Sequence, residues 1–384
     1  MRATRPLLVF LAVVLFADID CSGQAWLPPK GEGEMALSYQ NLFNKYHFNG
    51  DGSRHDYGHV RAFRSIVELD YGITDKFAVN VSLPYGYGKY HGPYPHQLPI
   101  DNGDYHGALQ DFRVGFRYNV VKRPVQFTPF LAVVFPSHHY EHFAHSAVGI
   151  DMWEAQIGMS LGRSLAPVLP RGYFQLSYGY SIMQSVLGMR PNRSRIDTEF
   201  GYFLTRRLSV QAIAASQIVH NGLYFPQDFP DRSPTNVTWR HHDQILAINF
   251  LNMGGGVAYS ITRGWQVYSS LLTSVWGQNG HALETGFSAG MSWTFRTPWA
   301  RLSVEPAAIG QDTEGLGLRT AKLIAPPAQQ PCHAAGEQDE AIRCGQEAHA
   351  IGDPTLTAAK YWPDFAELRK DTRFDEILIS RGWT

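Results

Sequence analysis

The sequence predicts an all-β fold, an antiparallel transmembrane β-barrel of about 12 strands, and three observations support this prediction. Apolar and polar residues alternate along most of residues 34–295, which is typical of strands with one apolar face. Phe, Trp and Tyr make up 13% of the chain, and the segments between predicted strands are alternately short and long. Short turns at one end and long loops at the other are typical of bacterial outer-membrane barrels, whereas a soluble β-sandwich does not need them.

The chain begins with the features of a secretory signal. Arg2 and Arg5 precede an apolar stretch from Leu7 to Ala17. This stretch is too short to cross a bilayer as a helix, but it suits the apolar region of a signal peptide. We therefore expect an exported protein.

The expected cleavage site lies between Ala25 and Trp26, so that residues 1–25 form the signal peptide. Gly23 and Ala25 supply the small residues that cleavage requires at the third and first positions before the cut. A lipoprotein anchored at Cys21 is the alternative, but Asp-Ile-Asp precedes this cysteine in place of small residues.

The individual strands follow from the period-two pattern. In residues 152–162, MWEAQIGMSLG, Trp153 and Ile157 belong to an apolar face, whereas Glu154 and Gln156 belong to a polar face. The same alternation predicts strands over residues 34–47, 59–72, 77–90, 105–120, 126–136, 152–162, 173–186, 194–204, 208–220, 245–261, 265–276 and 284–295.

The connections predict how the barrel is oriented. Short links such as ITDK alternate with long ones such as HGPYPHQLPIDNGD. An even number of strands returns both chain ends to one side, so we expect the long loops outside the cell and both termini in the periplasm. No apolar run of about 18 residues follows the signal, which argues against a helical membrane protein. A net charge of −1 does not favour nucleic acid as a partner.

We expect the barrel to occupy residues 26–296, surrounded by outer-membrane lipid. Trp293 and Phe295 end its last predicted strand, and this pattern resembles the aromatic signal that the barrel assembly machinery recognises. A linker is expected over residues 297–331, where LIAPPAQQP is rich in proline.

Residues 332–384 form a C-terminal extension that we expect to be partly helical. It either binds a periplasmic partner or is a solvated tail. Cys332 and Cys344 are the only cysteines after the expected cleavage site. In an oxidising compartment they are candidates for a disulfide, and the alternative is two unpaired thiols.

Two segments carry a family resemblance. SIVELDYGITDKFAVNVSLPYGYG (65–88) and DFRVGFRYNV (111–120) resemble the outer-membrane transporters named for the meta pathway of phenol degradation. The resemblance covers residues 26–295. It implies a barrel of modest size that moves a small apolar or aromatic solute across the outer membrane.

The polar face of the strands is expected to line the lumen, since an arginine on the lipid face at the bilayer midplane costs about 2–4 kcal/mol. Arginines and acids of neighbouring strands are expected to pair there, either along a pore or within a narrow polar core. Twelve strands lie between a barrel filled by side chains and a wide channel, so both interpretations stand. The predicted lumen-lining residues are Arg64, Glu68, Asp70, Asp111, Arg113, Arg117, Glu154, Asp197, Glu199 and Glu284.

The 16 histidines lie in or near predicted long loops, apart from His333 and His349 in the C-terminal extension. In FPSHHYEHFAHSAVG (135–149), His138, Glu141 and His142 match the H-x-x-E-H pattern of a zinc peptidase. That site requires a helix, whereas this segment joins two strands. No catalytic role is therefore predicted for it.

A metal site without catalysis is one hypothesis for this segment. Imidazole is a preferred ligand of Zn²⁺, Cu²⁺ and Ni²⁺, although no cofactor is required. The alternatives are a loop that responds to pH, because imidazoles become charged near pH ~6.5, and histidines that serve only as polar loop residues. The candidate metal ligands are His138, His139, Glu141, His142 and His145, and the set of histidines can be extended by His91, His96, His241 or His242.

The leading hypothesis for function is passive passage of a small solute through the barrel. A barrel enzyme that acts on lipid is the runner-up, and its nearest match is the pair Ser216 and His220. Four residues along one strand put these side chains about 13 Å apart, too far for proton transfer. A structural or adhesive barrel is the third alternative.

Overall fold

The computed structural model describes residues 25–262 and 264–297, and these residues form a closed antiparallel β-barrel of 12 strands. The predicted fold class is therefore confirmed. Within the described ranges, no helix is long and apolar enough to cross a membrane. Residues 1–24 of the expected signal peptide and residues 298–384, with Cys332 and Cys344, lie outside the described residues.

The predicted strands agree with the wall of the barrel. The largest difference is at the strand predicted from residue 245, which begins at Asn249 because the preceding residues form a short helix. In chain order the elements are β1 (Glu32–Phe48), β2 (Arg54–His55), β3 (His59–Thr74), β4 (Phe77–His91), β5 (His106–Leu109), β6 (Asp111–Tyr118), β7 (Gln126–Pro136), β8 (Glu154–Ser164), β9 (Gly172–Met183), β10 (Asn192–Phe203), β11 (Leu208–His220), α1 (Val237–Arg240), α2 (His242–Ile245), β12 (Asn249–Ser260), β13 (Trp265–Gln278) and β14 (His281–Arg296).

Three of these strands, β2, β5 and β6, are shorter than the other strands of the barrel wall. β2 pairs only with the end of β1, and β5 and β6 together form one wall strand interrupted at Gln110. The backbone amide of Gln110 donates to the carbonyl of Pro84 at 2.9 Å, and its side chain donates to the carbonyl of Val148. The interruption therefore ties the wall to the loop that follows β7.

The two ends of the barrel differ. At the turn end, strands are joined by residues 75–76, 119–125, 165–171, 204–207 and 261–264. At the loop end, longer connections occupy residues 49–58, 92–105, 137–153, 184–191 and 221–248, and only residues 279–280 are short. The predicted alternation of turns and loops is confirmed, and the first and last described residues both lie at the turn end.

Each wall strand pairs with its neighbours in sequence, and β14 closes the barrel on β1. This seam runs from the pair Glu32 and Arg296 to the pair His47 and His281. An ion pair between Glu32 and Arg296 secures its turn end. Closure satisfies the backbone groups at both edges of the sheet, which a lipid environment requires.

Strand residues alternate between an apolar outer face and a largely polar inner face. In β1, Leu37 is 51% exposed on the outer face, whereas Ser38 and Gln40 are buried inside. In β7, Leu131 is 57% exposed and Ala132 is buried. Successive side chains of a strand point to opposite faces, so this register decides which residues meet lipid and which meet the lumen.

Several loops at the loop end fold into a cap with its own apolar core. This cap is formed by residues 92–105, 137–153, 184–191 and 221–248. Asn236 begins α1, where its side chain accepts a hydrogen bond from the amide of Trp239 at 3.0 Å. The buried core of the cap comprises Phe143, Phe229, Trp239, Ile245 and Leu246.

Candidate functional site

All but one of the predicted lumen residues lie on the inner face of the wall. Glu68, for example, lies between Ala36 and Ser82, which are both buried inside the barrel. Arg113 and Glu154 are almost completely buried. The inner residues are Arg64, Glu68, Asp70, Asp111, Arg113, Arg117, Glu154, Asp197 and Glu199.

Glu284 is the exception, and its expected position in the lumen is corrected. A register shift gives β14 an additional residue opposite β1 at this point. Leu283 is buried inside with Leu42, and Gly286 pairs with Leu42. Leu283 and Gly286 both face inward, so the two residues between them are on the outer side of the bulge. Glu284 is one of these two and is exposed there, where it attracts the Lys45 ammonium. Strict alternation does not hold through a β-bulge.

The inner charges form hydrogen-bonded chains along the wall. Arg117 makes an ion pair with Asp70 across β4. Nε of Arg113 donates to Oε1 of Gln156 at 3.1 Å, and the amide of Gln156 donates to Glu154 at 2.7 Å. Arginine and acid thus pair along the inner surface, which limits the cost of burying them.

Two arginines of the lumen were missed by the sequence analysis. Arg193 and Arg195 share the inner face of β10 with Asp197 and Glu199, because the four residues occupy alternate positions. Both guanidinium groups attract the carboxylate of Glu154. The alternation along β10 was the signal from which both arginines could have been assigned to the lumen.

Another part of the lumen is apolar. Leu42, Ile213, Leu272 and Leu283 form a buried cluster on the inner faces of β1, β11, β13 and β14. The charged inner residues named above lie on β3, β6, β8 and β10. The lumen therefore combines this apolar cluster with charged residues that lie mainly on other strands.

Residues 25–31, here called the inner segment, turn into the lumen at the turn end. Ala25 and Trp26 are buried. The carbonyl of Ala25 accepts a hydrogen bond from the Thr128 hydroxyl at 2.6 Å, and the carbonyl of Trp26 accepts one from Arg117 at 3.5 Å. The indole of Trp26 also meets the ring of Tyr173 edge-on at 6.1 Å. The inner segment therefore narrows the turn end of the lumen.

A cavity of about 560 Å³ lies at the loop end, lined by the barrel wall and the cap. Its aromatic and apolar lining includes Phe48, Phe143, Phe225, Trp239 and Leu246. A volume of this size with a mainly apolar lining and a few polar groups is typical of a small-molecule site. The polar part of the lining is rich in histidine.

Three histidines, here called the wall triad, meet where the cavity joins the barrel seam. His47 is the penultimate residue of β1, His281 begins β14, and His145 lies in the cap. One ring nitrogen from each lies within 4.8 Å of the others. Nε2 of His145 is 3.0 Å from the carbonyl of Tyr94, so this nitrogen carries the proton and leaves Nδ1 with a free lone pair.

His96, His242 and Asp243, here called the cap triad, lie in the cap itself. Their ligand atoms are also within 4.8 Å of one another. Nδ1 of His242 donates to the carbonyl of Trp239 at 2.8 Å, and its Nε2 lies 3.2 Å from the Asp243 carboxylate. The rings of His96 and His145 stack with centroids 3.7 Å apart, which connects the two triads.

His138 and His139 lie apart from both triads. Nδ1 of His138 is 2.9 Å from the Ser137 hydroxyl. Nδ1 of His139 is 3.2 Å from the Asp151 carboxylate, and the His139 ring is 99% exposed. The loop therefore directs these two candidate ligands away from the cavity.

Glu141 and His142 also lie outside the triads. Glu141 accepts a hydrogen bond from the backbone amide of Phe143 at 2.9 Å, and His142 stacks on His241 at 5.1 Å. Of the five candidate ligands, the structure places only His145 in a triad. That the five candidate ligands bind a metal ion remains a prediction.

Burial keeps several cap histidines neutral. It lowers the pKa of His145 to about 4, and the His281 charge contributes to that shift. Burial also lowers the pKa of His96 and of His142. A neutral imidazole has one nitrogen with a free lone pair, so these rings are in the protonation state that binds metal or accepts a hydrogen bond at neutral pH.

Ser216 and His220, the nearest match to a lipid hydrolase, have separate hydrogen-bond partners. The hydroxyl of Ser216 donates to the carbonyl of Ile196 at 3.1 Å, while Nε2 of His220 is 2.9 Å from the hydroxyl of Ser194. Among the described residues, Nδ1 of His220 has no partner that would orient the ring as a general base. The geometry therefore does not support a lipid hydrolase.

Comparison with known proteins gives a structural likeness. No family model and no curated protein matches the sequence. The fold is similar to the crystal structure of an outer membrane channel from Pseudomonas putida F1, with a TM-score of 0.56 and 11% identity over 73% of this chain and 100% of that chain. The translocator domain of the autotransporter NalP from Neisseria meningitidis matches with a TM-score of 0.41 and 13% identity, over 70% of this chain and 90% of that chain. This chain therefore has the fold of a Gram-negative outer-membrane β-barrel.

Proposed function

We propose that the chain is an outer-membrane channel for a small apolar or aromatic solute, as its resemblance to the transporters named for phenol degradation implies. The observation that carries this proposal is the aromatic-lined cavity of about 560 Å³ at the loop end. Loops that surround only a water-filled pore are expected to have a polar lining instead.

The lining explains how a planar solute would be held. Phe143, Phe225 and Trp239 line the cavity and pack against one another, and an aromatic pair contributes about 0.5–1.5 kcal/mol beyond the area it buries. The inner segment would have to move aside before the solute leaves at the turn end.

The proposal includes an orientation, with the loop end outside the cell and the termini in the periplasm. A membrane-impermeant maleimide tests it on intact cells after Cys332 and Cys344 are replaced by serine. His139→Cys at the loop end is expected to react, whereas Arg207→Cys at the turn end reacts only after the outer membrane is permeabilised. The reverse labelling pattern would contradict the orientation.

Uptake by cells that express the full chain tests the function. Phenol is expected to enter faster than in cells without the protein, while a sugar of similar size does not. Phe225→Ser in the cavity slows phenol entry, and Phe200→Ser on the outer face, where that ring is 40% exposed, serves as the matched control. A correctly folded barrel that leaves phenol uptake unchanged would favour a structural or adhesive role.

A further inference from the structure

We propose that the wall triad and the cap triad each bind a divalent transition metal ion, and that the ion in the wall triad attaches the cap to the barrel wall. The inference goes beyond passage of a solute and does not depend on it. It follows from the ligand chemistry, from the hydrogen bonds that orient two of the rings, and from buried nitrogens without partners.

The ligand sets suit this class of ion. Three imidazoles, or two imidazoles and a carboxylate, are ligand sets that hold Zn²⁺ and related ions in proteins. A tetrahedral ion with bonds of about 2.1 Å places its nitrogen ligands about 3.4 Å apart. The ligand atoms of each triad lie within 4.8 Å of one another, so rotation of the side chains within the cavity can close the remaining distance.

Backbone carbonyls already orient one ring in each triad. His145 donates from Nε2 to Tyr94, and His242 donates from Nδ1 to Trp239. Metal-binding histidines commonly donate their other N–H to a carbonyl or carboxylate, which selects the tautomer and directs the free nitrogen at the ion. Each bond therefore leaves the other ring nitrogen with a lone pair that is free to bind an ion.

The remaining buried nitrogens have no other explanation in the packing. Both ring nitrogens of His47 and Nδ1 of His96 are buried without a hydrogen-bond partner among the described residues. An unsatisfied buried polar group costs about 1–3 kcal/mol, so native structures seldom contain several together. Ring stacking accounts for the orientation of His96 and His145 but not for these nitrogens. An ion in the wall triad would satisfy one of the two His47 nitrogens, and an ion in the cap triad would bind one nitrogen of His96.

The ligands of each triad come from different parts of the chain, so a bound ion would hold those parts together. His47 and His281 are paired across the seam between β1 and β14, whereas His145 belongs to the cap. An ion in the wall triad therefore links the cap to the barrel. An ion in the cap triad would link two segments of the cap, residues 92–105 and residues 221–248. Three protein ligands leave one coordination position for water, so the ion can exchange.

Metal content of the full chain tests the assignment. The protein is purified in detergent, stripped with a chelator and dialysed against Zn²⁺, and the bound zinc is counted by mass spectrometry. We expect two ions per chain, and visible absorption bands of tetrahedral coordination when Co²⁺ replaces Zn²⁺. His47→Gln with His281→Gln is expected to lose one ion, and His96→Gln with Asp243→Asn the other. His138→Gln with His139→Gln is the matched control and is expected to retain both.

The outcomes separate the two triads. Loss of one ion by each pair, with an unchanged control, supports both sites. Zinc content that a pair of substitutions leaves unchanged overturns the assignment of that triad. If a double variant fails to fold, His281→Gln and Asp243→Asn are tested singly by loss of the Co²⁺ bands, and retained bands count against the site. Because no solute passage is measured, failure here leaves the proposed channel function standing.

Discussion

The guanidinium group of Arg117 in β6 forms an ion pair with the carboxylate of Asp70 in β3, across the intervening strand β4. Arg117 is 1% exposed, and it also donates to the carbonyl of Trp26. One side chain therefore connects the wall of the barrel to the inner segment. Its removal affects both the stability of the barrel and the turn end of the lumen.

Arg117→Met is expected to destabilise the barrel by about 3 kcal/mol, because it leaves the Asp70 carboxylate unpaired inside the wall. The double variant with Asp70→Asn should recover part of that loss. Urea unfolding followed by tryptophan fluorescence measures both free energies of unfolding. Arg207→Met in an exposed turn is the control. A single variant as stable as the wild type would show that the ion pair contributes little.

Trp26→Gly is expected to increase single-channel conductance in a planar bilayer on the order of a few-fold. The indole lies in the turn end of the lumen beside Tyr173, and its loss removes a large side chain from that end. Trp265→Gly is the matched control, since Trp265 is 44% exposed on the outer face. Equal conductance in the two variants would show that the inner segment does not limit passage.

The cap is expected to open as the pH falls from 6.5 towards 4. Burial lowers the pKa of His145 to about 4, whereas an opened loop returns it to about 6.5. In this interval the open form binds more protons, so the stability of the closed cap is complete above pH ~6.5 and decreases below it. At pH ~5 the loss is up to about 2 kcal/mol. The carboxylates of Asp101 and Asp243 oppose the shift, and the charge of His281 adds to it.

Hydrogen exchange over residues 137–153 measures this opening, after correction for the intrinsic dependence of exchange on pH. Protection is expected to be weaker at pH ~5 than at pH ~7.5. His145→Gln should remove most of the difference, because no imidazole titrates at that position. Protection that is the same at both pH values in the wild type would contradict the prediction.

Trp239→Ala is expected to destabilise the cap by about 3–5 kcal/mol, the usual cost of removing a buried aromatic side chain. Trp239 packs against Phe225, Phe229 and His242. Limited trypsin digestion should cut the variant rapidly after Arg240 while the barrel remains intact. Trp153→Ala, at an outer position that is 56% exposed, should be cut at the wild-type rate.

The wall of the barrel could be predicted from the sequence because the pattern that specifies it lies within each strand. Each strand meets lipid on one face and the lumen on the other, so residues such as Leu131 and Ala132 carry the information in consecutive positions. The position of Glu284 could not be predicted in this way. The bulge in β14 depends on how that strand pairs with β1. The residue pattern along a single strand does not show this pairing.

The candidate metal site could be predicted only in part. Spacing along the chain pointed to His138, His139 and His142, because these residues are close in sequence. The triads instead combine His145 with residues that lie far from it in the chain, such as His47 and His281. Concentration of histidine in the long loops was the available signal. It indicated the end of the barrel at which the triads lie and gave His96 and His242 as further candidates, but it did not single out His47 and His281.

The sequence by itself determined the barrel, its strands, the alternation of turns and loops, and the polar face that lines the lumen. These properties follow from the period of a strand and from the cost of placing charge in lipid. Only the tertiary structure decided that the inner segment enters the lumen, that the loops form a cap with an apolar core, and which histidines meet. Barrel closure and cap packing bring together residues from distant parts of the chain, and those contacts depend on three-dimensional geometry that no local period encodes.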